Sequence, residues 1–90
     1  MIIRNSIKGI IIKNTKLLVT EMKHEQGIYY TLPGGKQEPN ELMLDALQRE
    51  VLEETGYIVE PQSLLFIREG FKDEQEVDTH RIEFMFVCNI

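Results

Sequence analysis

One stretch of the chain constrains its fold more than any other. Residues 41–55 contain no glycine or proline and are long enough for about four helical turns, whereas most other apolar runs are short and β-rich. Leu44, Leu47 and Val51 recur at spacings of three and four, which predicts one buried stripe along this helix. A single helix among several strands favours the α+β class.

Both ends of the predicted helix carry local signals. Asn40 precedes the segment and is the expected N-cap, and Glu41 would place a negative charge in the first turn. Gly56 follows the segment and is the expected C-terminal stop. The sequence therefore predicts a helix over residues 41–55.

The remaining apolar runs are predicted to be strands. Residues 6–12 and 17–22 are rich in Ile, Leu and Val, and the polar residues 13–16 between them are typical of a hairpin turn. Residues 82–88 alternate as expected for a half-buried strand. The acidic segment 72–78 is expected to be an exposed loop. Further apolar runs lie at 29–32 and 64–67, which gives the order β-β-(β)-α-β-β.

The composition is that of one small globular domain spanning residues 1–90. Ten Lys and Arg against fifteen Asp and Glu give a net charge of −5, which argues against a general nucleic-acid or anionic-membrane binder. Cys88 is the only cysteine, so no internal disulfide can form and a cytoplasmic location is expected. No uninterrupted apolar stretch indicates a signal peptide or membrane span.

Three glutamates of the predicted helix share one side. Glu50, Glu53 and Glu54 span about 100° of arc, so their like charges repel. A Glu-rich helix face is most often solvated surface, because Glu is a good helix former. Here the cluster follows a Gly-Gly turn that can bring a backbone carbonyl close to it. Such oxygens are the ligands that Mg²⁺ and Mn²⁺ prefer.

These residues also match a known family pattern. From Gly35 the segment reads GKQEPNELMLDALQREVLEETGY and resembles the Nudix box, G-x5-E-x7-R-E-U-x-E-E-x-G-U, where U is bulky and aliphatic. Tyr57 at the last position departs mildly from the pattern. The preceding Leu32-Pro33-Gly34 also resembles the family's usual lead-in. The matching positions are Gly35, Glu41, Arg49, Glu50, Val51, Glu53, Glu54 and Gly56.

The resemblance implies a Nudix (MutT-like) hydrolase that cleaves a pyrophosphate bond in a nucleoside diphosphate derivative. Its implied fold is an α/β/α sandwich around a mixed sheet, with the box forming a loop-helix-loop. The Gly35 carbonyl and the carboxylates of Glu50, Glu53 and Glu54 would hold Mg²⁺ or Mn²⁺. Arg49 and Glu41 would pair and fix the helix against the loop.

Several further residues are weaker candidates for the site. Glu50 is the best general base within the box, with Glu83, Glu76 and His80 as alternatives outside it. Tyr30 could stack on a base, although a half-buried strand aromatic is more common. Lys36 and Arg68 could meet phosphate, although solvated lysines and strand-edge arginines are at least as common. Cys88 is expected to be a buried structural thiol.

Nudix domains usually continue beyond the length of this chain. We therefore expect the domain to be incomplete at its C-terminus and to lack the C-terminal helix of the sandwich. The apolar strand that ends at Ile90 is expected either to pair inside the sheet or to be covered by a missing downstream part. If the natural chain ends at Ile90, we expect a second copy in a homodimer to cover the open edge. Three hypotheses remain: a metal-dependent pyrophosphohydrolase, a non-catalytic nucleotide-binding domain, and an inactive fragment with a merely structural helix.

Overall fold

The computed structural model describes residues 1–74 and 77–90, with side chains described for residues 1–71 and 78–90. The strands are β1 (Ile2–Ile10), β2 (Ile12–Lys13), β3 (Lys16–Leu17), β4 (Thr20–His24), β5 (Gly27–Thr31), β6 (Gly34–Lys36), β7 (Glu60–Glu74) and β8 (Val77–Asn89), and the helix α1 covers Met43–Thr55.

The main sheet has four strands in the order β6-β1-β8-β7. The β1–β8 pair is parallel, whereas β6 pairs with β1 and β7 pairs with β8 in antiparallel fashion. The sheet is therefore mixed, as predicted, and α1 packs against one face of it. The apolar strand β8 lies inside the sheet, where its backbone pairs with β1 on one side and with β7 on the other.

The core lies between α1 and the sheet. Ala46, Leu47 and Val51 of the helix are buried there, together with Ile7 of β1 and Cys88 of β8. The prediction of a buried thiol at Cys88 is confirmed, and burial raises the pKa of that thiol. In the described part of the chain, no helix is long and apolar enough to cross a membrane.

The helix differs from its prediction at its start. Leu42, in extended conformation, takes the N-cap position without a side-chain hydrogen bond, and Asn40 lies in a turn at φ 64°. Pro39 and Asn40 occupy the two central positions of this turn, which the Glu41 N–H closes by donating to the Glu38 carbonyl at 3.2 Å. Because Asn40 is part of this turn, the helix begins at Met43, two residues later than an N-cap at Asn40 would place it.

The buried stripe of the helix is also shifted. Leu44 is 43% exposed, so its predicted place in the core is wrong. Met43 packs against the core instead, followed by Leu47 and Val51 at spacings of four. The predicted stop at Gly56 is confirmed: Gly56 adopts φ 79°, and its N–H donates to the Leu52 carbonyl.

The predicted N-terminal hairpin turn is present, but its strands are shorter. Asn14 and Thr15 both have positive φ, as a two-residue hairpin turn of mirror-image type requires, and Lys13 pairs with Lys16. The strands break at Ile11 and Leu18, where the Leu18 N–H donates to the Ile11 carbonyl at 2.9 Å. A second hairpin, β4–β5, follows.

The prediction of a loop over residues 72–78 is wrong for the part of this segment whose backbone the structure describes. The β7–β8 ladder continues through the pairs 73–78 and 74–77. Backbone pairing in a long hairpin does not depend on apolar side chains, so an acidic composition is a poor indicator of where the pairing ends.

The simple alternation predicted for residues 82–88 is also wrong, because Met85 is buried on the face opposite Cys88.

Candidate active site

The site begins with two glycines in β6. Gly34 has φ 135°, and a Cβ there would collide with the Ile7 carbonyl oxygen of β1. Gly35 faces the helix, and a Cβ on it would lie 2.6 Å from the carboxyl carbon of Glu50. The bare backbone at Gly35 thus allows the Glu50 carboxylate to rest directly against the strand.

Arg49 holds the acidic residues of the helix together. Its Nε and Nη2 donate to the two carboxylate oxygens of Glu41, at 2.7 and 3.0 Å. Its Nη1 donates to Glu50 at 3.0 Å and reaches Glu53 at 3.4 Å. Nη2 also donates to the Lys36 carbonyl at 3.3 Å. One guanidinium therefore ties the helix to the strand that carries the glycines.

The charges of this network shift two pKa values. The hydrogen bond from Arg49, with a second from the Glu38 N–H, lowers the pKa of Glu41 below its ordinary value of 4.5. The hydrogen bonds to Glu41 and then Glu50 raise the pKa of Arg49 further above its already high value. Both groups consequently stay charged throughout the neutral range.

Glu54 makes the second link between helix and strand. Its Oε1 accepts a hydrogen bond from the Gly34 N–H at 2.8 Å. Glu53, by contrast, is mostly solvent-exposed, and Glu50 is largely covered. The three clustered glutamates thus lie along the β6 side of the helix, each in a different environment.

The donor chemistry of this corner suits a hard divalent cation. It offers carboxylate oxygens at Glu50, Glu53 and Glu54 beside the backbone of Gly35, where the missing Cβ leaves room for Glu50. As arranged in the described residues, no three acidic, histidine or cysteine side chains already form a metal-binding group. Instead, the Gly34 N–H donates a hydrogen bond to the Glu54 carboxylate, and Arg49 donates one to the Glu50 carboxylate.

The weaker candidates are scattered by the fold. Lys36 follows Gly35 directly, at the end of β6 and within the box. Tyr30 lies on the separate β4–β5 hairpin, is 63% exposed and donates to Glu21 at 3.2 Å, so the half-buried position considered for it is wrong. Glu76 lies outside the described residues.

Arg68 and Glu83 lie on the sheet face opposite the helix. They are cross-strand partners, and Arg68 donates to the Glu83 Oε1 through Nε at 3.2 Å and Nη2 at 2.8 Å. Glu83 alternates with Phe84, which packs on the helix side, so the strand pleat directs it away from the glutamate cluster. We call this side of the four-stranded sheet the open face.

His80 pairs with Glu69 rather than with any residue of the box. Its Nε2 lies 2.8 Å from the Glu69 Oε2, and its ring lies 4.7 Å from the ring of Phe71. The contacts of the His80 ring are therefore with Glu69 and Phe71, outside the cluster around Gly35.

Two polar contacts at the site were not anticipated from the sequence. The Gln37 side chain donates to the Glu41 carbonyl at 2.7 Å and accepts from the Asn5 amide at 3.2 Å. No local pattern signals these residues, because their roles depend on β1 pairing with β6 across the intervening hairpins.

Comparison with known proteins decides the family. The sequence model described as NUDIX domain matches residues 4–89. The chain belongs to the Nudix family. Within this family, a NUDIX hydrolase from Nitrosomonas europaea has a similar structure, with a TM-score of 0.75 and 28% sequence identity over 94% of this chain and 58% of that one.

Curated Nudix relatives carry nucleotide-related names. The 8-oxo-dGDP phosphatase NUDT18 of Homo sapiens is 50% identical over 54 residues, which are 59% of this chain and 16% of that protein. An ADP-ribose pyrophosphatase of Methanocaldococcus jannaschii is 32% identical over 87 residues, covering 94% of this chain and 50% of that protein. The chain thus spans half or less of the length of these two relatives.

Proposed function

We propose that this chain carries the catalytic site of a pyrophosphohydrolase that acts on a nucleoside diphosphate derivative. The observation that carries the proposal is the Nudix box folded as one unit, with Glu50 against Gly35 and Glu54 bound to the Gly34 N–H. The named activities of its relatives, on 8-oxo-dGDP and on ADP-ribose, support the substrate class.

We further propose Mg²⁺ or Mn²⁺ as the cofactor. Glu50, Glu53, Glu54 and the Gly35 carbonyl would hold it. When bound, the ion neutralises the pyrophosphate charge and lowers the pKa of an attacking water. Since the chain carries a net charge of −5, a polyanionic substrate would otherwise be repelled.

The protein's own residues then have separate tasks. Arg49 and Glu41 keep the helix in place against β6, and Arg49 partly neutralises Glu50 and Glu53. Glu50, which is largely covered and next to the glycine strand, is our candidate for the residue that accepts a proton from water. Lys36 is a weaker candidate for a phosphate contact, because strand alternation directs its side chain to the open face of the sheet. We keep Tyr30, Arg68 and Glu83 as weaker candidates for substrate contact, because they lie on other parts of the fold.

The proposal is tested by hydrolysis of a panel of dNTPs, ADP-ribose, sugar nucleotides and dinucleoside polyphosphates with Mg²⁺ or Mn²⁺. The double variant Glu53→Gln/Glu54→Gln keeps side-chain shape, and its amide oxygen at position 54 can still accept from Gly34. We expect turnover in the parent, and a loss of at least about a hundredfold in the double variant and in EDTA.

Glu50→Gln separates the roles within the cluster. If Glu50 is the main base, its kcat falls by about a hundredfold or more, while a value within about tenfold of the parent assigns the base elsewhere. Tight nucleotide binding without turnover under any metal would support a non-catalytic binding domain instead. Absence of both binding and turnover would contradict the proposed function.

A further inference from the structure

Gln37 extends the pairing of β6 with β1 by one position. Its N–H donates to the Asn5 carbonyl at 2.9 Å, directly after the Ser6–Lys36 pair. Gln37 follows Gly35 by two positions, and Asn5 precedes the buried Ile7 by two. The strand pleat therefore directs both side chains to the helix side of the sheet, which is the side that carries the glutamate cluster.

The side-chain amide of Gln37 bridges β1 and the residue that pairs with Arg49. Its Oε1 accepts from the Asn5 Nδ2 at 3.2 Å, and its Nε2 donates to the Glu41 carbonyl at 2.7 Å. Between Gln37 and Glu41 the chain makes the turn that the Glu41 N–H closes on the Glu38 carbonyl. The Gln37 side chain thus spans the turn and fixes its far end to the sheet.

The Arg49 guanidinium is shared between two groups of carboxylates. Its Nε and Nη2 bind Glu41 at 2.7 and 3.0 Å, whereas Nη1 lies 3.0 Å from Glu50 and 3.4 Å from Glu53. Glu50 and Glu53 are also two of the ligands proposed for the divalent cation. Arg49 therefore competes with a cation for their charge, and the position of Glu41 limits how closely it approaches them.

We propose that Gln37 is a positioning residue that keeps the glutamate cluster available to its cation. By fixing the Glu41 backbone, it holds the Arg49 guanidinium toward the turn. Without this bond Glu41 loses its side-chain link to the sheet, and attraction to two carboxylates draws Arg49 onto Glu50 and Glu53. The inference rests on the proposed function and deepens it, because it concerns how the same site retains its affinity for metal.

The first test measures cation affinity without catalysis. Mn²⁺ is titrated into the metal-free protein and followed by electron paramagnetic resonance, with Gln37→Met, Asn5→Ala and Gln48→Met as variants. Gln37→Met keeps the length of the side chain but makes neither amide hydrogen bond. Gln48→Met is the matched control, because the Gln48 side chain also donates to a backbone carbonyl, that of Val59 at 3.0 Å.

We expect Gln37→Met to weaken Mn²⁺ binding about tenfold and Gln48→Met to match the parent. Asn5→Ala should fall between them, because Gln37 keeps its bond to Glu41 but loses the bond that orients its amide. Thermal melting establishes that each variant is folded, and Asn5→Ala carries the comparison if Gln37→Met is not. The inference is wrong if the Gln37 and Gln48 variants bind Mn²⁺ equally, or if the parent does not bind it.

The route through Glu41 is tested by a double variant. Glu41→Gln removes the charge that draws Arg49 toward the turn, so adding Gln37→Met to it should weaken Mn²⁺ binding no further. Two full and additive losses would show that Gln37 acts independently of Glu41 and would overturn the inference.

The second test follows the Mg²⁺ dependence of hydrolysis. Gln37→Met should raise the Mg²⁺ concentration for half-maximal rate about tenfold and leave kcat at saturating Mg²⁺ within about twofold of the parent. A loss of kcat that excess Mg²⁺ does not restore would contradict a role in cation affinity. If the parent binds Mn²⁺ but hydrolyses no substrate, the proposed function fails, and the Mn²⁺ titrations alone decide the role of Gln37.

Discussion

At the scale of single residues, three glycines of the same sheet provide a graded test of the site. Gly35→Ala would place a methyl group against the Glu50 carboxylate, at the movable end of a flexible side chain. We expect near-parental stability, because Glu50 can swing away, but a loss of at least tenfold in hydrolysis. Thermal melting and the Mg²⁺-dependent rate measure the two effects separately.

The neighbouring positions serve as matched controls. Gly34→Ala meets backbone at Ile7 and requires φ 135°, so it should destabilise the fold by about 1–3 kcal/mol. Gly70→Ala meets nothing within 4 Å and should change neither property. Parental activity in Gly35→Ala would show that the Glu50–Gly35 contact has no part in the reaction.

The sequence predicted the residues of the glycine–glutamate contact but not the hydrogen bond between Asn5 and Gln37. Gly35 and Glu50 belong to one continuous motif, so their proximity follows from a local loop and helix. Asn5 reaches Gln37 only because β1 pairs with β6 across the intervening hairpins. Nothing in the residues around Asn5 indicates which strand will lie beside it.

At the scale of elements, the helix shows how a turn can override a capping signal. Asn40 is a good N-cap residue, yet the turn at Pro39 places it at positive φ, a conformation that Asn tolerates better than most residues. Glu41 is then free to bind Arg49 across two helical turns. The helix end was predictable because Gly56 stops it locally, whereas its start is displaced by the turn at Pro39 and Asn40.

The same ion pair predicts a pH dependence of stability. Arg49 lowers the pKa of Glu41 in the folded state. The Glu41–Arg49 pair therefore stabilises the fold above the unfolded-state pKa of 4.5, and this stabilisation is lost as the pH falls through the lowered folded-state pKa. We expect the melting temperature of the parent to fall more steeply with acidification below about pH 4.5 than that of Glu41→Gln.

The matched control for this comparison is Glu60→Gln, which removes a carboxylate at the start of β7, away from Arg49. Its acid melting curve should parallel that of the parent. If Glu41→Gln and the parent lose stability in parallel below pH 4.5, the Glu41–Arg49 pair does not contribute to the folded state in the proposed way.

At the scale of the whole molecule, the order of strands in the sheet could not be predicted from local sequence patterns. The predicted hairpin turn at Asn14 and Thr15 follows from neighbouring residues alone. The parallel β1–β8 pair joins opposite ends of the chain, and its register is set by burial of Ile7, Phe84 and Cys88 under the helix. That burial exists only once α1 is in place.

The sheet order also leaves β7 as an apolar edge. This 15-residue strand is last in the sheet and pairs with β8 on one side. Leu65 and Ile67 are both more than half exposed on it. The homodimer considered from the sequence was to cover β8, which the sheet already encloses, whereas a long edge strand with exposed apolar side chains favours pairing with another chain at β7.

We therefore predict that the chain self-associates through β7. Sedimentation velocity over a range of concentrations should show a monomer–dimer equilibrium, and Leu65→Lys/Ile67→Lys should weaken it at least tenfold, because charge on an edge strand opposes pairing. Ile12→Lys makes the same chemical change at an exposed position of β2 and should leave association intact. A monomer at every concentration, or an equal effect of Ile12→Lys, would contradict a β7 interface, and the exposed apolar residues of this edge would then play no part in assembly.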